Sequence, residues 1–492
     1  MRLSRFIDAR RAFALAALGG SLLAPSQNRA AETAPADAAL PLVPPPITVL
    51  TSKPGVERGL IFVAPKTTPS ASIQQGPEIV DDHGRPIWFR PVGENEQAAN
   101  FRVQEYRGKP VLTWWQGTNS RTGPGEGLGF NYVYDQHYRQ VAVVGAGNGY
   151  QADIHEFRIT PRGTAFITIY NHIPFDLSAL GGAADGSVVD GVAQEVNVAT
   201  GAVVWEWHSI EHVPLSESQA ALPTAATAAY DYFHINAVNW DEDGNVIVSA
   251  RNTWTVYKID YRTKKIIWRQ GGKSSSFRLS TGTDGTQTAW QHDPERVDGR
   301  TIRIFDNQAA PSVLPYSRVV WIRRDPFDRV STLVKELVHP DAIQAGSQGN
   351  AQGLEHGHTF VGWGATGRFS EFDAAGRLLF DASVPSGGWD TYRAYRFGWH
   401  ATPDTQPTAS AQRNADGSVT VHAIWNGATD VARWIVVTGR HENLLWPVAS
   451  AEWNGLDTAI TLDSKERELA VVAQARDGRL LERSPAVAIP SP

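Results

Sequence analysis

The chain has 492 residues, of which 42% are hydrophobic and 20% charged, with 44 glycines, 30 prolines and 17 tryptophans. This length exceeds one ordinary core and calls for two or three folded units of globular composition. The absence of cysteine excludes disulfides, thiolate-held metals and thiol catalysis. A formal net charge of −6 leaves no basic footprint for nucleic acid, and no stretch reaches the roughly 18 apolar residues of a membrane span.

Residues 1–31 read as an export signal: Arg2, Arg5, Arg10 and Arg11, an apolar run from Ala12 to Ala24, and a small-residue zone at Ala30-Ala31. Arg10-Arg11 followed by Ala12-Phe13 is of the twin-arginine kind, so the protein is expected to be exported, either periplasmic or secreted. Residues 32–46 are an Ala- and Pro-rich linker. From 47 to 402 the chain is a succession of short apolar runs bounded by turn residues. One shape recurs, an aspartate or asparagine, a turn (usually containing glycine) and an apolar strand with an aromatic: Asp82–Trp88, Asn197–Trp205, Ile259–Trp268 and Phe372–Phe380. Its counterpart starts polar and runs through two apolar strands: His155–Tyr170, His234–Arg251, His292–Asp306 and Gln348–Trp363. A period of about 40–60 residues with four short strands each is the signature of a β-propeller, and the span holds about six such units. A string of sandwiches would not repeat one turn and one aromatic strand at the same position. Residues 403–414 are a linker rich in Pro, Thr, Ser and Gln, and 415–492 alternate as a small β-sandwich resembling a fibronectin type III module. The expected fold is all-β, a six-bladed β-propeller followed by that sandwich.

Three of the fourteen histidines, His155, His234 and His292, each open the first strand of a repeat. First strands line the central channel of a propeller, so the three imidazoles are expected to converge there. Arg251, at the end of the second strand of the His234 repeat, adds a fixed cation. A guanidinium beside imidazoles repels a divalent metal and favours a sulfate- or phosphate-like oxyanion. A neutral imidazole can attack sulfur or phosphorus while a second histidine moves the proton, and Arg251 should hold that imidazole neutral. Two other motifs carry less. Leu354–His358 contains an H-x-H pair at a turn and reads as surface histidines, and Gly271–Ser274 echoes a phosphate loop without its leading glycine or a following helix.

The block Asp231–Val238 running to Val248–Asn252 resembles the arylsulfate sulfotransferase family, as do Ile154–Phe157, Ile266–Lys273, Gln291–Asp293, Phe305–Asn307, Gln348–Asn350 and Phe360–Gly364. The likeness covers roughly residues 75–400 and leans toward the branch common in fungi and actinobacteria. It implies a six-bladed propeller that moves a sulfuryl group from an aryl sulfate to a phenol without the adenylyl sulfate donor. His292 matches the histidine that becomes sulfated, His234 and Arg251 the pair that binds the sulfuryl oxygens and assists proton transfer, and His155 the remaining channel histidine. The expected partner is a small aromatic molecule, with no cofactor and no metal. Tyr232, Trp254, Trp290, Asn307 and Trp399 are the expected substrate-binding residues, chiefly as an aromatic rim. The same His/Arg set also suits a lyase, isomerase or hydrolase acting on an aromatic compound.

Overall fold

The computed structural model describes residues 41–67, 73–119, 125–225 and 228–491; the expected export signal and most of the 32–46 linker lie outside them. The chain is all-β, built from antiparallel sheets of consecutive short strands joined by turns and single-turn 3-10 helices. The second sheet, for example, is Gln97–Tyr106, Lys109–Asn119, Gly127–Tyr134 and Gln140–Val144. The third runs Phe157–Ile159, Thr164–Pro174, Ser187–Asn197 and Val203–His208, and the fourth Ile235–Trp240, Val246–Ala250, Thr255–Ile259 and Ile266–Gly271. The fifth runs from His292–Arg296 to Val330–Val338, and the sixth from Asn350–Gly353 to Leu378–Ser383.

Both ends of this region are tied in by distant segments. Thr48–Ser52 adds to the outer edge of the sixth sheet, beside Leu378–Ser383. Tyr395–Phe397 supplies one edge of the first sheet, followed by Leu60–Val63, Glu78–Val80 and Pro86–Phe89. The first strands of the second to sixth sheets touch their neighbours in order, and Tyr395–Phe397 touches both the sixth and the second sheets.

Alternation along the strands distributes the core among the sheets. Phe62 faces Phe101, Leu112 and Trp114 of the second sheet, whereas Ile61 and Val63 face Phe360, Phe369 and Phe380 of the sixth. Ile302 and Ile304 meet Ile247 and Val256 of the fourth sheet, while Phe305 meets Val361 and Trp363 of the sixth. Successive side chains point to opposite faces, so a strand that is apolar at every position serves two interfaces. The aromatic-rich contact of the third and fourth sheets holds Phe166, Trp205, Trp207, Phe233 and Tyr257.

Residues from Thr408 onward form two further sheets around a separate apolar cluster that includes Val421, Trp434, Val436 and Val471. The expected linker 403–414 is shorter than its composition suggests. Thr408–Arg413 is a strand paired with Val419–Ile424, its alternate side chains half-buried, because the Thr-Ala-Ser-Ala run satisfies a sheet edge despite its polarity. This unit is fixed to the first sheet: Asn426 donates to and accepts from the backbone of Phe89, and the Arg85 guanidinium lies 5.0 Å from the Trp453 ring centre.

Trp114 is fully buried against Trp88, Phe101, Tyr132 and Tyr134. Trp114→Ala is therefore expected to cost about 3–5 kcal/mol, read as a shift of the urea midpoint with an unchanged slope.

Candidate active site

The three histidines and the arginine singled out in the sequence, His155, His234, His292 and Arg251, meet in one cavity of about 470 Å³ that Gln348 and Tyr392 also line. His155 and His234 stand just before the first strands of the third and fourth sheets, and His292 opens that of the fifth. The His155 and His234 rings lie edge to face with centres 5.0 Å apart, and Tyr170 stacks on His155 at 5.2 Å. His234 and Gln348 hold left-handed backbones (φ 56° and 65°) without being glycine, as do Trp290 and Asp293 on either side of His292. Such strain persists only where surrounding contacts over-determine it, and it concentrates at functional sites.

The three imidazoles are held differently. Nδ1 of His155 lies 2.5 Å from Oδ2 of Asp153, a carboxylate that also accepts from the backbone amides of His155 and Gly127 and from the Thr168 hydroxyl. Nδ1 of His234 lies 2.5 Å from Oδ2 of Asp231. His292 has no carboxylate behind it. Its Nδ1 faces the Asn307 side-chain oxygen at 2.8 Å and the Trp290 carbonyl at 3.1 Å. The Asn307 amide nitrogen donates to the carbonyls of Ala345 and Gln348, which fixes its oxygen toward the ring. Two acceptors around Nδ1 require the proton there, so Nε2 carries the lone pair. Consistently, the Gln348 backbone amide donates to Nε2 at 3.3 Å.

Burial holds the His292 imidazole well below the ordinary histidine range, against the Asn307 hydrogen bond, and Arg251, His155 and His234 push the same way. Burial thus does more than the arginine named from the sequence. It likewise pushes His234 well down and raises the Asp231 carboxyl to about 7. Asp231 and His234 Nδ1 thus share one proton, and while the carboxyl holds it the neutral His234 ring carries its own on Nε2. Arg251 is anchored by the Asn252 side-chain oxygen at 2.9 Å and by its guanidinium 4.7 Å from the Trp290 ring centre.

The expected aromatic rim is not assembled. Tyr232 is fully buried in the core of the third and fourth sheets, and Trp399 belongs to that of the first and second, hydrogen-bonded to Tyr138. Both are large aromatic side chains on segments outside the strands, and their rings fill the apolar clusters beside them. Trp290 backs Arg251 and Trp254 packs edge-on against Trp290 at 5.2 Å, so these two support the cation rather than line the cavity. Asn307 stands behind His292 instead of meeting a substrate. Sequence reasoning passed over Asp153, Asp231, Gln348 and Tyr392. An aspartate two or three residues before a histidine was a readable signal for the first two, whereas the last two come from turns of other sheets.

Among the described residues, the His/carboxylate groupings spaced for a metal lie outside this cavity. Glu57, Glu355 and His356 are one, and His339, Asp341 and Asp381 are the other, with Arg368 already paired to both aspartates of the latter. Of the H-x-H pair, His356 is exposed as expected, but His358 is tucked against Glu371. Lys273 of the phosphate-loop echo donates to the carbonyls of Ser216 and Ser218, clamping a loop.

A family model described as arylsulfotransferase (ASST) matches residues 102–384, more than half of the chain, a span that includes His155, His234, Arg251 and His292. No curated protein matches. Among solved structures the chain is similar to a protein of unknown function from Bacteroides caccae, at 11% identity over 68% of this chain and 98% of that one with a TM-score of 0.39. It is also similar to virginiamycin B lyase from Staphylococcus aureus, at 8% identity over 81% of this chain and 98% of that one with a TM-score of 0.31.

The asymmetry among the imidazoles is measurable. At pH near 6.5, where an ordinary histidine is half protonated, ring-nitrogen NMR is expected to show His292 neutral, protonated at Nδ1 and bare at Nε2.

Proposed function

The chain belongs to the arylsulfotransferase family, and on that premise we propose that it transfers a sulfuryl group from an aryl sulfate to a phenol through a sulfated His292. The observation that carries this reading is the single histidine backed by a neutral amide, set beside two backed by carboxylates and an arginine. A nucleophile must be neutral with a lone pair it can free, here by giving up the long Gln348 amide contact at Nε2, and a carboxylate at Nδ1 would favour its cation.

In the first half-reaction His292 Nε2 attacks sulfur, an N–S bond forms and the S–O bond to the aryl ring breaks. The bonding pair leaves on the phenolate oxygen, which takes the Nε2 proton of His234 while Asp231 passes its own proton to Nδ1. The sulfated ring keeps its Nδ1–H on Asn307. In the second half an acceptor phenol returns a proton to the His234–Asp231 pair as its oxygen attacks sulfur, the N–S bond breaks and His292 recovers its lone pair. Arg251 and His155 face the sulfuryl oxygens, where charge is concentrated during transfer.

We also infer that the six sheets are the blades of a β-propeller, that the two sheets from Thr408 onward are a β-sandwich, and that the protein acts after export. The alternation of core between neighbouring sheets, the separate apolar cluster of the last two, and the arginine-led N-terminus support these readings.

Incubation with a chromogenic aryl sulfate and a phenol, followed by intact-mass analysis, is expected to show an adduct of the mass of SO3. His292→Ala should abolish the adduct and the transfer; substantial turnover in that variant would overturn the covalent reading. His155→Ala should leave a weakened enzyme, slower by about 10²–10³.

The pH profile follows from the same groups. His292 must be neutral and its pKa is depressed, so activity persists below the ordinary histidine range and is lost only as pH falls through the lowered value. Asn307→Asp puts a carboxylate at Nδ1 and is expected to move that acid limb upward by about 1–3 pH units, seen in rate–pH profiles of the two proteins.

A further inference from the structure

Two tyrosines flank the histidines, and they differ in one respect. Tyr170, stacked on His155, donates its hydroxyl to the Ile235 carbonyl at 3.0 Å. Tyr392 lines the cavity, is 3% exposed, and presents its ring edge-on to His155 and His292 with centres 5.6 and 6.4 Å away. Its hydroxyl has no hydrogen-bond partner among the described residues. A buried hydroxyl left unpaired costs free energy that a ligand atom can recover. An apolar packing role would be served by phenylalanine.

The side chain is also held in place. The Arg393 guanidinium lies 5.4 Å from the Tyr392 ring centre, and its Nη1 is within 3.1 and 3.0 Å of both carboxylate oxygens of Glu156. Nη1 is 3.6 Å from Asp293, and Nη2 donates to the Asn236 carbonyl at 3.3 Å. Glu156 and Asp293 directly follow His155 and His292 in the chain, so one guanidinium sets the tyrosine relative to two of the three histidines. The Gly349 amide donates to the Tyr392 carbonyl at 3.0 Å, fixing its backbone as well.

We propose that Tyr392 is a hydrogen-bond donor to the oxygens of the transferring sulfuryl group, acting beside Arg251 and His155. The assignment rests on the sulfuryl-transfer reading for its reaction, and on the geometry alone for its ligand class, a compact oxyanion. Burial keeps the phenol well above its ordinary range, so it donates without surrendering its proton to the leaving phenolate. This separates its part from that of the His234–Asp231 pair. Because the sulfuryl oxygens are common to every donor, the Tyr392 contribution should not depend on which phenol leaves.

The test is Tyr392→Phe, which keeps the ring and removes the oxygen. Inorganic sulfate serves as the probe by calorimetry, alongside transfer from a series of aryl sulfates whose phenols range from acidic to basic. Expected are an unchanged or higher melting temperature, sulfate affinity lower by about tenfold, and transfer slower by about 10²–10³ to the same extent across the series. Wild-type sulfate affinity in the variant would overturn the proposal, whether or not the melting temperature falls. So would a loss that grows with the basicity of the phenol, which places the hydroxyl on the bridging oxygen instead. If wild-type protein transfers from no aryl sulfate while Tyr392→Phe still weakens sulfate, the donor assignment stands and the sulfuryl-transfer reading fails. If wild-type transfers and the variant matches it, the donor assignment alone fails.

Discussion

A carboxylate taken wholly out of water would ordinarily pick up a proton, and Glu156 is fully buried. Burial raises its pKa, but Arg393, Arg102 and Arg158 outweigh that and bring it to about 2. Arg102 also reaches the Phe157 carbonyl and the Tyr395 hydroxyl, so the charge is shared between the second sheet, the third and the strand that closes the first. Such an assembly is weak evidence for net stability, since desolvation offsets most of the attraction. Its geometric consequence is firmer. Removing any one partner strands a buried charge at a cost of about 3–5 kcal/mol, so the backbone positions of Glu156, Asp293 and Arg393 are locked together. His155, His292 and Tyr392 are their immediate chain neighbours and inherit that lock.

Above this layer the cavity depends on what is not charged. Arg251 places a permanent cation beside three imidazoles, while the other cation lining the cavity, Lys66, is paired with Asp390. His292 is kept neutral by burial and by Arg251, against the pull of its Asn307 hydrogen bond, and the carboxyl groups of Asp153 and Asp231 stand behind His155 and His234. The net arrangement is a site that accepts an oxyanion without being saturated with positive charge. The Asp231–His234 pair, whose carboxyl sits at about 7, can gain or lose a proton at little cost near neutrality, which is what a group serving as acid in one half-reaction and base in the next requires.

The sequence disclosed the parts of this design that repeat. Histidines at the heads of successive first strands, and an arginine at the end of a second, are period-governed positions, and period is what an unaligned sequence displays best. Residues that act once were hidden. Tyr392 sits after a two-residue strand, Asp390–Thr391, with no repeat partner to mark it, and Gln348 enters from a strained turn. The aromatic rim failed for a related reason. Chemical type points to Tyr232 and Trp399 as rim residues, yet in sheets buried on both faces most aromatics are core, as the Trp114 and Trp207 clusters show. The 408–413 strand was missed because an edge strand of Thr, Ala and Ser has the composition of a linker.

The closure of the sheet cycle sets when the site can exist. The second to fifth sheets each form from consecutive strands, a local and entropically inexpensive arrangement. The first sheet does not, because Tyr395–Phe397 must return from the far end of the region to pair with Leu60–Val63. Tyr392 and Arg393 lie on that returning segment, which also carries the Asp390–Thr391 pairing to Pro65–Lys66. The guanidinium that locks the histidines therefore lies on a segment held by some of the most non-local pairings of the region. Until that segment is paired, Glu156 is a buried carboxylate with one fewer cation, and the His155 and His292 positions lack their common anchor. Assembly of the site and closure of the cycle are in this sense one event: a chain that has folded its individual sheets but not joined its ends holds the histidines without the geometry that makes them a site.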